Sequence, residues 1–368
     1  MRMMIAARLH APSTPLRLDT VPLPEPRLGE VLIQVKACNL VPNLKNVLGD
    51  WERLFPYLPL PKLPAIFGLD AAGVVAETGP GVLAIRQGDR VYVNPGRGCG
   101  SCKACRTGDI VACESYSYQG YFGRGPQSQR ILELYPYGGM AEYMIAPQWA
   151  LVKLPENVSF EAGARFGYLG TAYTALRKAG VGPAKSVLIN GIGGTLGLGG
   201  ALLALAMGAT RILGTGRNRV LLERVKALAP KRIEVFSVHD GSVKDWAFSL
   251  TEGEGVDAVI DTLPPRTPSQ AVMEALRALR VGGKAVDVGG SSEALVLDGY
   301  WLKQRNITLA GARGSTTQDG EDIAEMARAG TLDLGVFEHR RFPLAQVNEA
   351  VAATGDGSGG FSNFVVIP

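Results

Sequence analysis

Hydrophobic and polar positions alternate with two different periods along this chain. In roughly the first 150 residues, short runs such as Glu30–Val35 and Asp89–Val93 alternate apolar with polar between Gly and Pro breaks. A period of two, bounded by turn formers, predicts many short strands in a mostly antiparallel barrel or sandwich. From Ser186 onward the texture becomes apolar strand, glycine turn, then helix. Strands are predicted at 186–189, 211–213, 258–260, 285–288 and 307–309, with helices at 221–228 and 270–279 between them. That alternation predicts a parallel, doubly wound sheet covered by helices on both faces. After about Ile323 one more amphipathic helix and a closing strand, Phe364–Ile367, are expected, with the tail returning to the first unit. The fold class is therefore α/β, with boundaries expected at 1–160, 161–312 and 313–368. A Gly/Ser-rich turn is read at Gly355 to Gly360.

Composition fits this picture and removes other classes. Hydrophobic residues make up 46% and charged residues 20% of 368 positions. The net charge of +4 comes from 38 basic and 34 acidic residues, with no basic run of the kind that tracks nucleic acid. The longest apolar stretch, Ala201–Met207, falls well short of the roughly 18 residues that a membrane span needs. The opening MRMMIAARLH lacks an extended apolar core followed by a cleavage site, so a cytoplasmic location is expected. Neither a membrane nor a nucleic-acid partner is expected.

Four of the five cysteines, Cys99, Cys102, Cys105 and Cys113, form a C-x2-C-x2-C-x7-C pattern in a glycine-punctuated loop. Two-residue gaps let thiolates converge on a tetrahedron about 2.3 Å from a zinc ion. A closed four-thiolate site leaves no open position, so one structural Zn2+ is expected in a lobe at about 95–115. Disulfides are disfavoured by the cytoplasmic context, and an iron–sulfur cluster by the spacing. Cys38, at the end of a strand-like run, reads as a small core residue.

The segment Asn190–Gly197 follows an apolar strand and opens a small-residue helix. Its glycines let the backbone approach a pyrophosphate, which free N–H groups at the helix start would stabilise. Gly191, Gly193, Gly194, Thr195, Leu196 and Gly197 are the candidate contacts. Where NAD enzymes carry a carboxylate for the ribose hydroxyl, this chain has Gly216 and Arg217. Room for a 2′-phosphate and an Arg to bind it point to NADP(H). The competing reading is that Arg217 and Arg219 merely begin a solvated helix. Leu263, Val288, Gly289 and Gly290, at later strand ends, complete the cofactor set.

Together, the cysteine loop, the glycine turn and the order of the units resemble the medium-chain dehydrogenase/reductase superfamily, most closely its zinc-type alcohol dehydrogenase branch. Gly73–Gly79, Gly88–Val91, Gly138–Tyr143 and Val281–Gly283 also look like segments of that family. The resemblance implies a GroES-like domain, a Rossmann domain, and an active site in the cleft between them. It implies a small-molecule substrate and a homodimer or homotetramer. It also places Thr171 in a segment that contacts nicotinamide.

The resemblance fails at the catalytic metal. The family pattern puts Val41, Leu69 and Gly167 at the three ligand positions, with Asn43 and Asn46 at the proton-relay positions. None of the three histidines, His10, His239 and His339, stands in a matching segment. Val and Leu cannot hold a dication, so no catalytic Zn2+ is expected. Without a Lewis acid, the favoured acceptor is already electrophilic: an activated C=C in an enone, quinone or similar compound. Carbonyl or imine reduction with a side chain or water as proton donor is the alternative, and a non-catalytic NADPH-binding protein is a third reading. Asn43 is a candidate donor to a developing enolate or else a turn cap. Tyr57 and Tyr168 are candidate proton donors or aromatic walls. Asp70 orients a water or donor, or forms an ion pair. The aromatic segment 116–137 shapes either the cleft or partner contacts.

Overall fold

A computed structural model describes residues 2–265, 267–291, 293–355 and 359–368. Six parallel strands form the cofactor-type sheet, in spatial order Ile233–Ser237, Arg211–Gly216, Ser186–Asn190, Val256–Asp261, Leu279–Asp287 and Thr308–Gly311. The chain reverses its strand order beside Ser186–Asn190, the kind of switch point where a ligand crevice opens at the strands' carboxyl ends. Strand Ile233–Ser237 has no counterpart in the expected pattern. It lies at the sheet edge, and partial exposure of Glu234, Val235 and Phe236 removes the apolar run that marks buried strands. Strand Leu279–Asp287 begins six residues before the expected start. Gly282, at φ +74°, and Gly283 break its pattern.

The other large sheet has seven strands. Its main path runs Leu151–Lys153, Arg90–Val93, Asp70–Thr78, Glu30–Asn39, Ser362–Ile367 and Glu338–Pro343, and Tyr143–Pro147 also pairs with Glu30–Asn39. All pairings are antiparallel except the parallel pair of the two C-terminal strands. The chain's last strand joins Glu30–Asn39 with Val365 opposite Asn39 and Val366 opposite Cys38. Two helices precede this return, not one. Thr317–Arg328 starts before the expected Ile323 because Thr316 and Asp319 form a reciprocal cap, and Val347–Ala353 follows. Of the expected 355–360 turn, 356–358 lie outside the described residues; Gly359–Phe361 is a short 3-10 turn.

Helix Phe166–Ala179 ties the two sheets together. Its small and apolar face (Phe166, Leu169, Ala172, Ala175, Leu176) is buried in one cluster with Ala37, Ala72 and Tyr92 of the first sheet and Val187 and Ile189 of the second. The helix ends at Gly180, whose left-handed φ of +73° is favoured for a residue without Cβ. No helix among the described residues is long and apolar enough to cross a membrane. Phe166 and Leu169, at the start of this helix, are buried in that shared cluster.

Candidate functional site

The glycine turn at the end of strand Ser186–Asn190 is built by close backbone contact. Thr215 carbonyl accepts from Gly191 N (3.1 Å) and Ile192 N (2.9 Å), and Gly191 adopts φ +90°. A Cβ on Gly197 would lie 2.2 Å from Gly191 O, so helix Thr195–Ala206 can dock on the turn only with glycine there. The first intrahelical bond runs from Leu198 N to Gly194 O. The amides of Thr195, Leu196 and Gly197 precede it and carry the positive end of the helix dipole.

Gly216 ends the neighbouring strand, and Arg217 is exposed without an ion pair among the described residues. Arg219, by contrast, is held by Asp240, and Asn218 caps the helix that follows by accepting from Leu221 N. Gly290 N donates to Leu263 O (2.9 Å), and a Cβ on Gly289 would meet Leu263 O at 2.6 Å. Val288 N bonds Asp261 O, which brings Leu263, Val288, Gly289 and Gly290 to one edge of the sheet. Thr171 donates to Gly167 O one turn back in its helix.

A polar row at the same strand ends escaped the sequence reading. Asn190 Nδ2 donates to Asp261 Oδ1 (2.7 Å), and Thr215 Oγ1 donates to Asn190 Oδ1 (2.6 Å). All three are buried. Burial pushes Asp261 up to about 6 against the lowering bond from Asn190, with nearby Asp287 raising it further. The available signal was a polar residue at or next to the end of each of three apolar strands.

The four cysteines converge. Their sulfurs all lie within 4.8 Å of one another, which fits four ligands of one tetrahedral ion. Backbone amides also aim at sulfur: Cys102 N at Cys99 Sγ (3.3 Å), Cys105 N at Cys102 Sγ (3.5 Å) and Cys99 N at Cys113 Sγ (3.4 Å). The bonds from Ser101 and Cys102 lower the Cys99 thiol toward thiolate, the form that binds metal, whereas burial raises Cys113. Arg97, wholly buried, anchors the base of this lobe through Asn94 O, Gly96 O and the Gln119 side chain.

Between the sheets, Asp70 is fully buried and accepts one bond, from Tyr92 Oη to Oδ1 (3.2 Å). Its Oδ2 has no partner. Directly opposite on the next strand, buried Asn39 leaves both amide atoms unpaired. Burial drives the Asp70 carboxyl up to about 7, while the Tyr92 bond and the Arg165 charge pull it down. Arg165, also buried, is held by the carbonyls of Ser362 and Gly360 and by Asn363.

The positions that the family likeness assigns to catalytic metal ligands do not fit a metal. A Cβ on Gly167 would lie 2.0 Å from Asp70 Oδ1, so the carboxylate fills the space of any side chain there. Val41 is 2% exposed inside the apolar core, and Leu69 packs on the same cluster. Cys38 Sγ is buried against Gly68 and Gly139, and burial drives its pKa far upward, away from thiolate.

Of the other candidates, Asn43 precedes helix Leu44–Leu48 but makes no capping bond; its Oδ1 accepts from Asn46 Nδ2 (2.8 Å). It neighbours the Tyr121 hydroxyl, which completes no hydrogen bond of its own. Tyr168 is half-buried beside Asp70 and Arg165, and burial holds its phenol well above its ordinary range. Asn43 lies beside Tyr121, and Asp70 and Tyr168 are within electrostatic reach of the same hydroxyl. Tyr57 is exposed with its ring edge on Phe55, and no hydrogen bond or ring contact joins it to that group among the described residues. The segment 116–137 supplies Tyr121 and Phe122 to an aromatic cluster with Trp51.

The buried Asp70 carboxyl has a stability consequence. The folded protein keeps a proton up to about pH 7 that the unfolded chain releases near 3.8. Its favourable contribution is therefore full below about pH 4 and is lost as pH rises to about 7, with a slope of at most about 1.4 kcal/mol per pH unit. In Asp70→Asn that slope disappears. Melting temperatures of the parent and the variant compared from pH 4 to 8 should diverge in favour of the variant up to about pH 7 and then run parallel; a constant difference would refute the assignment.

Residues 27–156 match the alcohol dehydrogenase GroES-like domain, and residues 195–329 match the zinc-binding dehydrogenase domain. An alcohol dehydrogenase of Geobacillus stearothermophilus is 32% identical over 350 residues, covering 94% of each chain. Among solved structures, AibC superposes with a TM-score of 0.85 at 25% identity, covering 100% of this chain and 96% of that one. A Sinorhizobium meliloti 1021 dehydrogenase bound to NADP superposes with a TM-score of 0.83 at 22% identity over the full length of both chains. With both domains matched in order and a relative identical at nearly one residue in three along almost its whole length, this chain is an oxidoreductase of the medium-chain dehydrogenase/reductase superfamily, on its alcohol-dehydrogenase-like branch.

Proposed function

We propose that this protein uses NADPH to reduce an activated C=C bond, with one structural zinc in the cysteine lobe and no metal in the cleft. The observation that carries the reading is the Asp70 carboxylate packed against Gly167, in the space a third metal ligand would need. NADPH, when bound, supplies a hydride. The Thr195–Gly197 amides would hold its pyrophosphate, and Arg217 would pair with the 2′-phosphate. Gly289 and Gly290, closely packed on Leu263, present bare backbone at the strand ends where the nicotinamide would lie. The four cysteines would hold the zinc that braces their lobe.

At the reacting end, a hydride delivered to the β carbon would push the C=C electrons toward the carbonyl oxygen, and the α carbon would then take a proton from water. Tyr168, kept protonated by its raised pKa, and the amide of Asn43 are the donors available to the developing oxyanion. Asp70 stays behind this pair as a buried carboxyl that restrains Tyr92.

Two measurements check the reading. Incubation of NADPH with 4-phenyl-3-buten-2-one should yield the saturated ketone; the allylic alcohol as sole product would establish carbonyl reduction instead. Arg217→Ala should weaken NADPH binding by about 10- to 100-fold, the worth of charge-assisted bonds, while leaving NADH binding unchanged. Equal loss for both cofactors would remove Arg217 from the 2′-phosphate.

A further inference from the structure

Every arginine among the described residues that is buried or half-buried hydrogen-bonds or pairs with the protein, except Arg313. Arg90 reaches the carbonyls of Pro155 and Val158, Arg165 those of Ser362 and Gly360, and Arg280 the Asp257 carboxylate. Arg313 makes no such bond, and its Nη2 is buried without a partner. Its guanidinium instead stands over three aromatic rings, 5.6 Å from the centroid of Tyr116, 5.2 Å from Tyr118 and 5.8 Å from Phe122. Aromatic faces hold a cation in place but supply no hydrogen-bond acceptor and no countercharge. The sealed Nη2 of this cation costs free energy until an acceptor reaches it.

The position of this cation is informative. Strand Thr308–Gly311 ends just before it, and Ala312 N donates to Asp287 O, so Arg313 leaves the carboxyl edge of the cofactor-type sheet. Gly314 then turns at φ +62° with Tyr118 Oη 2.6 Å from where its Cβ would stand, which fixes the loop against the aromatic cluster. The same cluster continues through Phe122 to Tyr121, whose buried hydroxyl lies beside Asn43 without completing a hydrogen bond. An unpaired cation and an unpaired hydroxyl thus flank the place where the proposed reaction occurs.

We infer that Arg313 is a specificity-determining residue that binds a carboxylate of the substrate, so that the acceptor is an activated alkene bearing an anionic group. This rests on the reductase reading above for the place of the alkene, but the anion site itself does not require that chemistry. The guanidinium's planar fork matches a carboxylate, and Tyr121 stands within the same aromatic cluster as a second donor.

The test is binding of cinnamate against cinnamamide, which differ in charge and little in shape, followed by tryptophan fluorescence on full-length protein saturated with NADP+. Cinnamate should bind at least about tenfold more tightly, the value of one charge-assisted contact. The preference should vanish in Arg313→Gln and persist in Arg313→Lys, which keeps the charge. Equal affinities in the parent protein, or an undiminished preference in Arg313→Gln, would overturn the inference. A separate NADP+ titration reports on the cofactor reading. The cinnamate pair titrated without cofactor tests the anion site alone, so failure of either is seen by itself.

Discussion

Burial of the Asp70 carboxylate between two sheets is the constraint that organises the centre of this molecule. A carboxyl group placed there must be satisfied or stay protonated, and only Tyr92 bonds it. Its bulk also dictates its neighbours: position 167 can be nothing larger than glycine, because a Cβ would fall inside the carboxylate. Arg165 lies close enough to lower its pKa but spends its own hydrogen bonds on the C-terminal strand and the turn before it. Changing Asp70 therefore touches the strand, the bridging helix and the chain's C-terminal return together.

Two groups of residues surround that centre. Helix Phe166–Ala179 carries Tyr168 and Thr171 from the carboxylate toward the cofactor-type sheet. There the glycine turn and the Leu263–Gly290 edge are made by backbone contacts too close for side chains. On the other side, Asn43 and Tyr121 lead into aromatic rings that end under Arg313. One half is shaped by the absence of side chains and the other by large ones. That division suits a reaction in which the cofactor's position is fixed by backbone and the substrate's by side-chain chemistry.

Features written in local spacing were legible in the sequence. The cysteine cluster and the glycine turn are each contained in a short stretch, and glycine's lack of Cβ has a direct steric meaning at Gly191 and Gly197. Strand period and texture gave the two sheets, yet missed Ile233–Ser237, whose edge position leaves three of its five residues partly exposed. Contacts between distant segments were not legible. Asn190, Thr215 and Asp261 form a row only once three strands lie in parallel register, and no pattern announces that Asp70 will meet Gly167. Arg313 looked like one arginine among many, because its lack of a partner is a property of the packed structure. Tyr57, singled out for its chemistry, stands exposed against Phe55.

The claim that one metal braces the fold and none serves the cleft is tested most directly by the zinc content of purified, NADPH-binding protein. The account predicts about one zinc per chain, lost in Cys105→Ser while NADPH binding survives in any fraction that remains folded. About two zinc ions per chain, one of them retained in Cys105→Ser, would contradict it.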